Sequence, residues 1–246
     1  MNRNVIETTA REYIARHLNC KVEDFQKPYP VFVANDDEAY PFFEICTVGA
    51  SAIVSASGGL VAKLKKLLEN KNRDEIFECP FVYGQSIFYI PDTKRLHRYP
   101  LDTGYNYELL QGEEIRKLKG ISGFENSLTF DEKGVPSACI VFCAVKNSEV
   151  VALAGASKES DEMWEIGIDV VPQYRKRGLA VRLVSNLACT ILEQGIVPFY
   201  CASTTNIGSQ AVAFRSGFVP CWVSTYGNIW DGNYAYHDIM KGLSLG

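Results

Sequence analysis

Glu165-Ile166-Gly167-Ile168-Asp169-Val170-Val171-Pro172-Gln173-Tyr174-Arg175-Lys176-Arg177-Gly178-Leu179-Ala180 is the stretch that decides the fold. Glu165 to Val171 has the apolar content of a β-strand, and Pro172, which lacks a backbone donor, ends its ladder. Three cations and a glycine follow. Then Ala180, Leu183, Val184, Leu187, Ala188, Ile191 and Leu192 fall on one helical stripe. A strand thus runs through a basic turn straight into a helix N-terminus, whose unpaired first amides and positive dipole end make an anion site. Gly178 lets the backbone approach an anion closely, Ala180 keeps the first turn slim, and Arg175, Lys176 and Arg177 add charge. The bare spacing Arg-x-x-Gly-x-Ala is short enough to arise by chance as an ordinary basic surface loop, so its surroundings decide.

Working outward, Ala138 to Val145 and Val150 to Ala156 read as two strands joined by Lys146, Asn147 and Ser148, a hairpin placed before the deciding strand. After the helix, Gly195 stands where a C-cap glycine belongs, and Val197 to Ala202 supplies another strand. Asn206 opens a further helix ending before Gly217. Two terminal strands are expected near Val219 to Ser224 and Tyr234 to Met240.

This order of elements, with Glu165 to Ala180 as it stands, resembles the acetyl-CoA strand and pyrophosphate loop of the GCN5-related N-acetyltransferase superfamily. Asn206 with Ser209, followed by Gly217 and Phe218, is similar to the family's Asn-led helix and its Gly-aromatic pair. The resemblance covers about residues 126 to 246. It implies an α/β fold, a mixed α+β sheet with a V-shaped splay where acetyl-CoA lies. Main-chain groups of Ile168, Asp169 and Val170 would pair with the pantetheine arm like an added strand. The amides of Arg175, Lys176, Arg177, Gly178, Leu179 and Ala180 would hold the pyrophosphate of coenzyme A, with Asn206 and Ser209 further along the cofactor.

The implied activity is transfer of an acetyl group to a primary amine, on a small-molecule or peptide acceptor, by direct transfer. Glu165 is the candidate general base. Its structural alternative is a solvent-facing strand-end carboxylate. Many members carry a tyrosine in the Asn-led helix as general acid, but the matching position here is Ala213. Water, or a residue from elsewhere such as Tyr226, is the candidate replacement, against the plainer reading of Tyr226 as a packed tyrosine. Ser203, at the end of its strand, reads either as a substrate-cleft catalytic residue or as part of the helix entrance. The missing tyrosine keeps a second reading open, a non-catalytic acyl-CoA-binding or sensor protein.

Residues 1 to 125 carry no comparable motif. A helix is expected from Asn4 to His17, strands at Val31 to Val33, Phe42 to Val48 and Gln85 to Ile90, an amphipathic helix from Leu60 to Glu69 and a short helix at Glu113 to Lys119. Lys63, Lys65 and Lys66 read as its solvated face. The step from Gly58, Gly59 and Leu60 into a helix echoes Gly178, Leu179 and Ala180, so the first half reads either as a degenerate repeat of the second or as a separate α/β lid over the acceptor pocket. Phe124 to Gly134 reads as a polar connection, and the domains are placed at 1–125 and 126–246.

Composition sets the remaining bounds. The 246 residues are 47% apolar, enough for a substantial core, and carry 25 Lys and Arg against 29 Asp and Glu, so no global field draws the chain to nucleic acid or an anionic membrane. The uncharged run Ile45 to Ala62 is broken by serines and by Gly58-Gly59, which suits a strand, turn and helix start better than a membrane span. Eight scattered cysteines without a CxxC pair read as buried thiols of a reducing, cytoplasmic compartment. Cys139 and Cys143, read on one strand face about 13 Å apart, are too distant to share a metal. His17, His97 and His237 are isolated, so no metal site is expected.

Overall fold

The structure, a computed structural model, describes residues 1–35, 42–82, 84–225 and 228–229. Tyr226, His237 and the strand expected near 234–240 lie outside the described residues. Along the chain come α1 (Arg3–His17), β1 (Val31–Ala34), β2 (Phe42–Thr47), β3 (Ile53–Ala56), α2 (Gly58–Leu68), α3 (Arg73–Phe77), β4 (Ser86–Pro91) and β5 (Asn106–Gln111). They are followed by β6 (Ile140–Lys146), β7 (Glu149–Lys158), β8 (Met163–Val170), α4 (Leu179–Glu193), β9 (Val197–Ser203), α5 (Ile207–Arg215), β10 (Phe218–Ser224) and β11 (Asn228–Ile229). Among the described residues no helix is long and apolar enough to cross a membrane.

Two compact units divide the chain: Met1–Ala10 with Tyr89–Pro220, and Arg11–Phe88 with Cys221–Gly246. Residue 125, where the sequence suggests a boundary, falls inside the first. In the second unit β3 pairs parallel with β1 and antiparallel with β2, while β11 and the end of β10 run antiparallel to β2. Helix α2 buries Leu60, Leu64 and Leu68 against Phe43, Ile45 and Val54, and Lys63, Lys65 and Lys66 are exposed on its outer side. Helix α3 follows from local chemistry: Asn72 accepts from the Glu75 amide and Glu75 reaches back to the Asn72 amide, closing a capping box.

In the first unit the order is β5-β6-β7-β8-β9, antiparallel from β5 to β8 and parallel between β8 and β9. The hairpin of β6 and β7 turns on Asn147 and Ser148, both left-handed at φ 52° and 65°. Strand β5, to which the sequence reading assigns no element, extends this hairpin by pairing with β6 over six residues, Asn106↔Val145 to Gln111↔Ile140. The short segment Gly112–Leu118 is a 3₁₀ helix. Its buried Ile115 and Leu118 join Phe124, Leu128, Val141, Cys143 and Leu153 in one apolar cluster. Residues 124 to 134 are therefore no mere polar connection, because Phe124 and Leu128 are core side chains. Cys139 lies just before β6, so it does not share a strand face with Cys143. Helix α4 packs across β6 to β9 and buries Leu183, Val184, Leu187, Ala188 and Ile191, the stripe that its spacing predicts.

Candidate functional site

The parallel pairing of β8 with β9 runs from Met163↔Val197 to Ile166↔Tyr200 and stops. Strand β8 continues through Gly167–Val170, held on its other edge by β7 up to Ala152↔Val170, while β9 continues through Cys201–Ser203. The two strands splay, and among the described residues no strand pairs with the β9-facing edge of β8 beyond Ile166, although Val170 O accepts from Arg175 Nε.

At the end of that edge the chain makes a 3₁₀ turn over Pro172–Tyr174, then enters the left-handed region at Lys176 (φ 61°) and again at Gly178 (φ 79°). Gly178 is the N-cap of α4, and no side chain caps that helix. The first intrahelical bond is Arg182 N to Gly178 O at 3.2 Å. The amides at the start of α4 thus end on a concave turn, the arrangement that binds anions. The three cations differ in what they do. Arg175 Nε donates to Val170 O at 3.0 Å, Arg177 lies over the Tyr174 ring at 5.4 Å, and Lys176 is exposed. Leu179 is 1% exposed, so it offers only main chain, and Ala180 is half-buried.

Sequence reasoning misses Arg182. Its Nε donates to Pro100 O and its Nη1 to Arg177 O, each at 3.1 Å, and a Cβ on Gly178 would lie 2.5 Å from Nη1. The signal was its position one helical turn after Gly178, which turns it back over the loop. Pro100 belongs to a strap, residues 92 to 100, that binds both helices. The Asp92 amide donates to Gly217 O, Arg98 bridges Thr190 and Glu193 of α4, and the Arg95 guanidinium stacks 3.8 Å from the Phe214 ring of α5. Gly217 is needed there, because a Cβ would meet Leu96 Cα at 2.5 Å.

On one face of β8 lie Glu165, Gly167 and Asp169. Asp169 does not point its carboxylate at the splay: Oδ2 accepts from the Asn126 amide at 2.9 Å and from Ser127 Oγ at 2.8 Å, and Oδ1 from Asn126 Nδ2 at 2.6 Å. The segment so held presses onto the sheet. A Cβ on Gly167 would lie 1.8 Å from Asn126 O, and one on Gly155 2.0 Å from Ser127 O. Beside this contact a cavity of about 230 Å³ opens, roofed by Glu125–Leu128 and Ser137, with Gly155, Ser157, Glu165 and Gly167 along its sheet side. Burial pushes the Glu165 carboxyl up to about 7, and repulsion from Glu159 adds to the shift. No hydrogen bond to the Glu165 carboxyl is found among the described residues.

Downstream, Asn206 Oδ1 accepts from the Ser209 amide at 3.1 Å, the N-cap of α5. Ser209 Oγ is 2.7 Å from the hydroxyl of Tyr200, a buried tyrosine whose pKa is pushed up to about 12 by burial. Ser203 Oγ lies 3.0 Å from Thr205 Oγ1, and its carbonyl accepts from Gln210 Nε2, so it shapes the entrance to α5. Ala213 is fully buried, with Phe214 exposed beside it. His17 Nε2 lies 2.9 Å from Glu44 Oε2, and His97 Nδ1 lies 2.8 Å from Arg95 O. No cysteine–cysteine pairing and no side-chain group that could hold a metal ion is found among the described residues.

With that geometry in view, residues 101–221 match the family model of GNAT acetyltransferases. By that match residues 101–221 belong to the GNAT acetyltransferases, a family that in general uses acetyl-CoA. The fold is also that of a GCN5-related N-acetyltransferase-like protein from Streptococcus suis, at 12% identity and TM-score 0.50 over 89% of this chain and 98% of that one. Solved GNAT-family proteins from Novosphingobium aromaticivorans (18% identity, TM-score 0.48, covering 70% and 80%) and Colwellia psychrerythraea (13%, 0.46, covering 80% and 84%) are similar as well. No curated protein matches the sequence.

Proposed function

We propose that the protein is an acetyl-CoA-dependent N-acetyltransferase that passes the acetyl group directly to a primary amine bound beside it. The observation that carries this reading is the splay after Ile166↔Tyr200, whose open edge leads into a doubly left-handed cationic turn and the uncapped start of α4. These residues fit the donor: Ile168, Asp169 and Val170 would hold the pantetheine arm by main chain, and the Arg175–Ala180 turn the pyrophosphate. Arg182 braces that turn, and Asn206 with Ser209 borders the splay from α5. When bound, acetyl-CoA supplies an activated thioester.

The chain's own residues must then present a neutral amine and remove its proton. Glu165 is suited to the second task, because a carboxyl near 7 lies closer to the proton affinity of an amine than an ordinary carboxylate does and is still substantially ionised at neutral pH. The roof over its cavity limits water and orients the acceptor, and orientation of this kind is worth up to about 7–11 kcal/mol. Ser203 and Tyr226 are the proposed sources of a proton for the departing thiolate. Eight scattered cysteines without a CxxC pair support a reducing, cytoplasmic setting.

One observation favours the second reading, a non-catalytic acyl-CoA sensor: Ala213 is fully buried where many relatives carry a catalytic tyrosine. Release of free thiol from acetyl-CoA across a broad panel of amines separates the two, with coenzyme A binding measured in parallel. Thiol release that depends on an amine is the expected result, and binding without turnover across the whole panel would establish the sensor instead.

A further inference from the structure

The cavity beside Glu165 has a one-sided hydrogen-bonding character. In its roof the Asn126 amide and Nδ2 are spent on Asp169, and the Ser127 and Leu128 amides on Phe124 O. The Ser127 hydroxyl donates to Asp169, and the Ser157 hydroxyl to Glu159 at 2.7 Å. Ser137 Oγ accepts from the Thr129 amide and alone keeps a hydroxyl hydrogen. Glu125, an exposed residue of the roof, accepts from the Gly123 amide at 2.8 Å, which lowers its carboxyl from the ordinary value. What the lining offers a guest is therefore mostly lone pairs: those of two carboxyl groups and of hydroxyl oxygens whose hydrogens point elsewhere. Among the described residues, no lysine or arginine lines the cavity.

We infer that the acceptor is a small, donor-rich cationic amine, of the class of short aliphatic diamines, and not an amino acid or any other acceptor bearing a carboxylate. The inference rests on the acetyltransferase reading above and names the substrate of that same site. The reacting nitrogen must be uncharged when it attacks, so a cationic nitrogen drawn to the Glu125 carboxylate is not the one that reacts. That carboxylate suits a second, still protonated nitrogen on the same molecule. An acceptor carboxylate would meet mostly like charge and lone pairs, with the Ser137 hydroxyl and the protonated fraction of Glu165 as its few side-chain donors. The volume of about 230 Å³ sits below the range of pockets that take drug-sized ligands, which points to a short acceptor.

Initial rates with acetyl-CoA and three amines of matched length, 1,4-diaminobutane, n-butylamine and 4-aminobutyrate, test the inference. Values of kcat/KM should fall in that order, with at least about a tenfold gap between the first and the last, the equivalent of ~1.4 kcal/mol. In Glu125→Gln the ratio of diamine to butylamine should fall toward one. Equal use of 4-aminobutyrate and diamine, an unchanged ratio in the variant, or turnover of none of the three by a protein that binds coenzyme A overturns the inference alone. Failure to bind coenzyme A would instead overturn the reading beneath it.

Discussion

Glu165 carries two consequences that can be measured apart. Its carboxyl titrates near 7 in the folded protein against an ordinary 4.5, so between those values the native state holds a proton that the unfolded chain has released. Stability therefore falls as pH rises across that window, and the loss is complete above it. Glu165→Gln, neutral throughout, should unfold at higher denaturant than the parent at pH 8, by up to about 3 kcal/mol, and show no such gain at pH 4.5. The same variant should lose about a hundredfold in kcat/KM above pH 7, together with the rise in rate that the parent shows near that pH. A parent pH-rate curve without a limb near 7 would remove Glu165 as the base. Glu165 could be picked from the sequence as a strand carboxylate beside the loop. Its burial could not, because the residues that bury it lie some forty positions upstream.

At the scale of elements, the turn from β8 into α4 was legible because its signals are local: a proline, three cations, a glycine and a helical stripe within about twenty residues. The roof over β7 and β8 was not. Gly155 and Gly167 read as ordinary strand residues until Asn126 and Ser127 are seen lying on them, and Asp169 reads as a strand-edge residue until it takes three hydrogen bonds from the same segment. Strand β5 escaped because it alternates poorly, with Leu110 its one buried residue. Helix α3 left a readable sign in Asn72 and Glu75, three apart. The strap of residues 92 to 100 has no regular structure to find, since it is held chiefly by hydrogen bonds exchanged with α4 and donated to α5. Gly167→Ala tests the roof directly. With its new methyl 1.8 Å from Asn126 O, it should cost about 3 kcal/mol in urea unfolding and lower turnover. A cost under ~0.5 kcal/mol would mean that the segment does not bear on the sheet.

For the whole molecule, turn, splay and cavity all fall within one compact unit, which takes in residues 89 to 125 as well as the family-like half. The expected division at 125 followed a change in local pattern, whereas β5 and the buried Ile115 and Leu118 tie the preceding residues to the hairpin. The degenerate repeat proposed for the first half rests on the step from β3 through Ser57 and Gly58 into α2. There a Cβ on Gly59 would meet nothing within 4 Å, and the basic turn of Arg175, Lys176 and Arg177 has no counterpart. The measurement that tests the account most directly is coenzyme A binding by calorimetry to the parent and to Gly178→Glu, with amide hydrogen exchange followed on both. The parent should bind and gain protection at residues 168 to 170 and 178 to 181, and the variant, still folded, should lose binding. Undiminished affinity in Gly178→Glu, or protection confined to other segments, would contradict it.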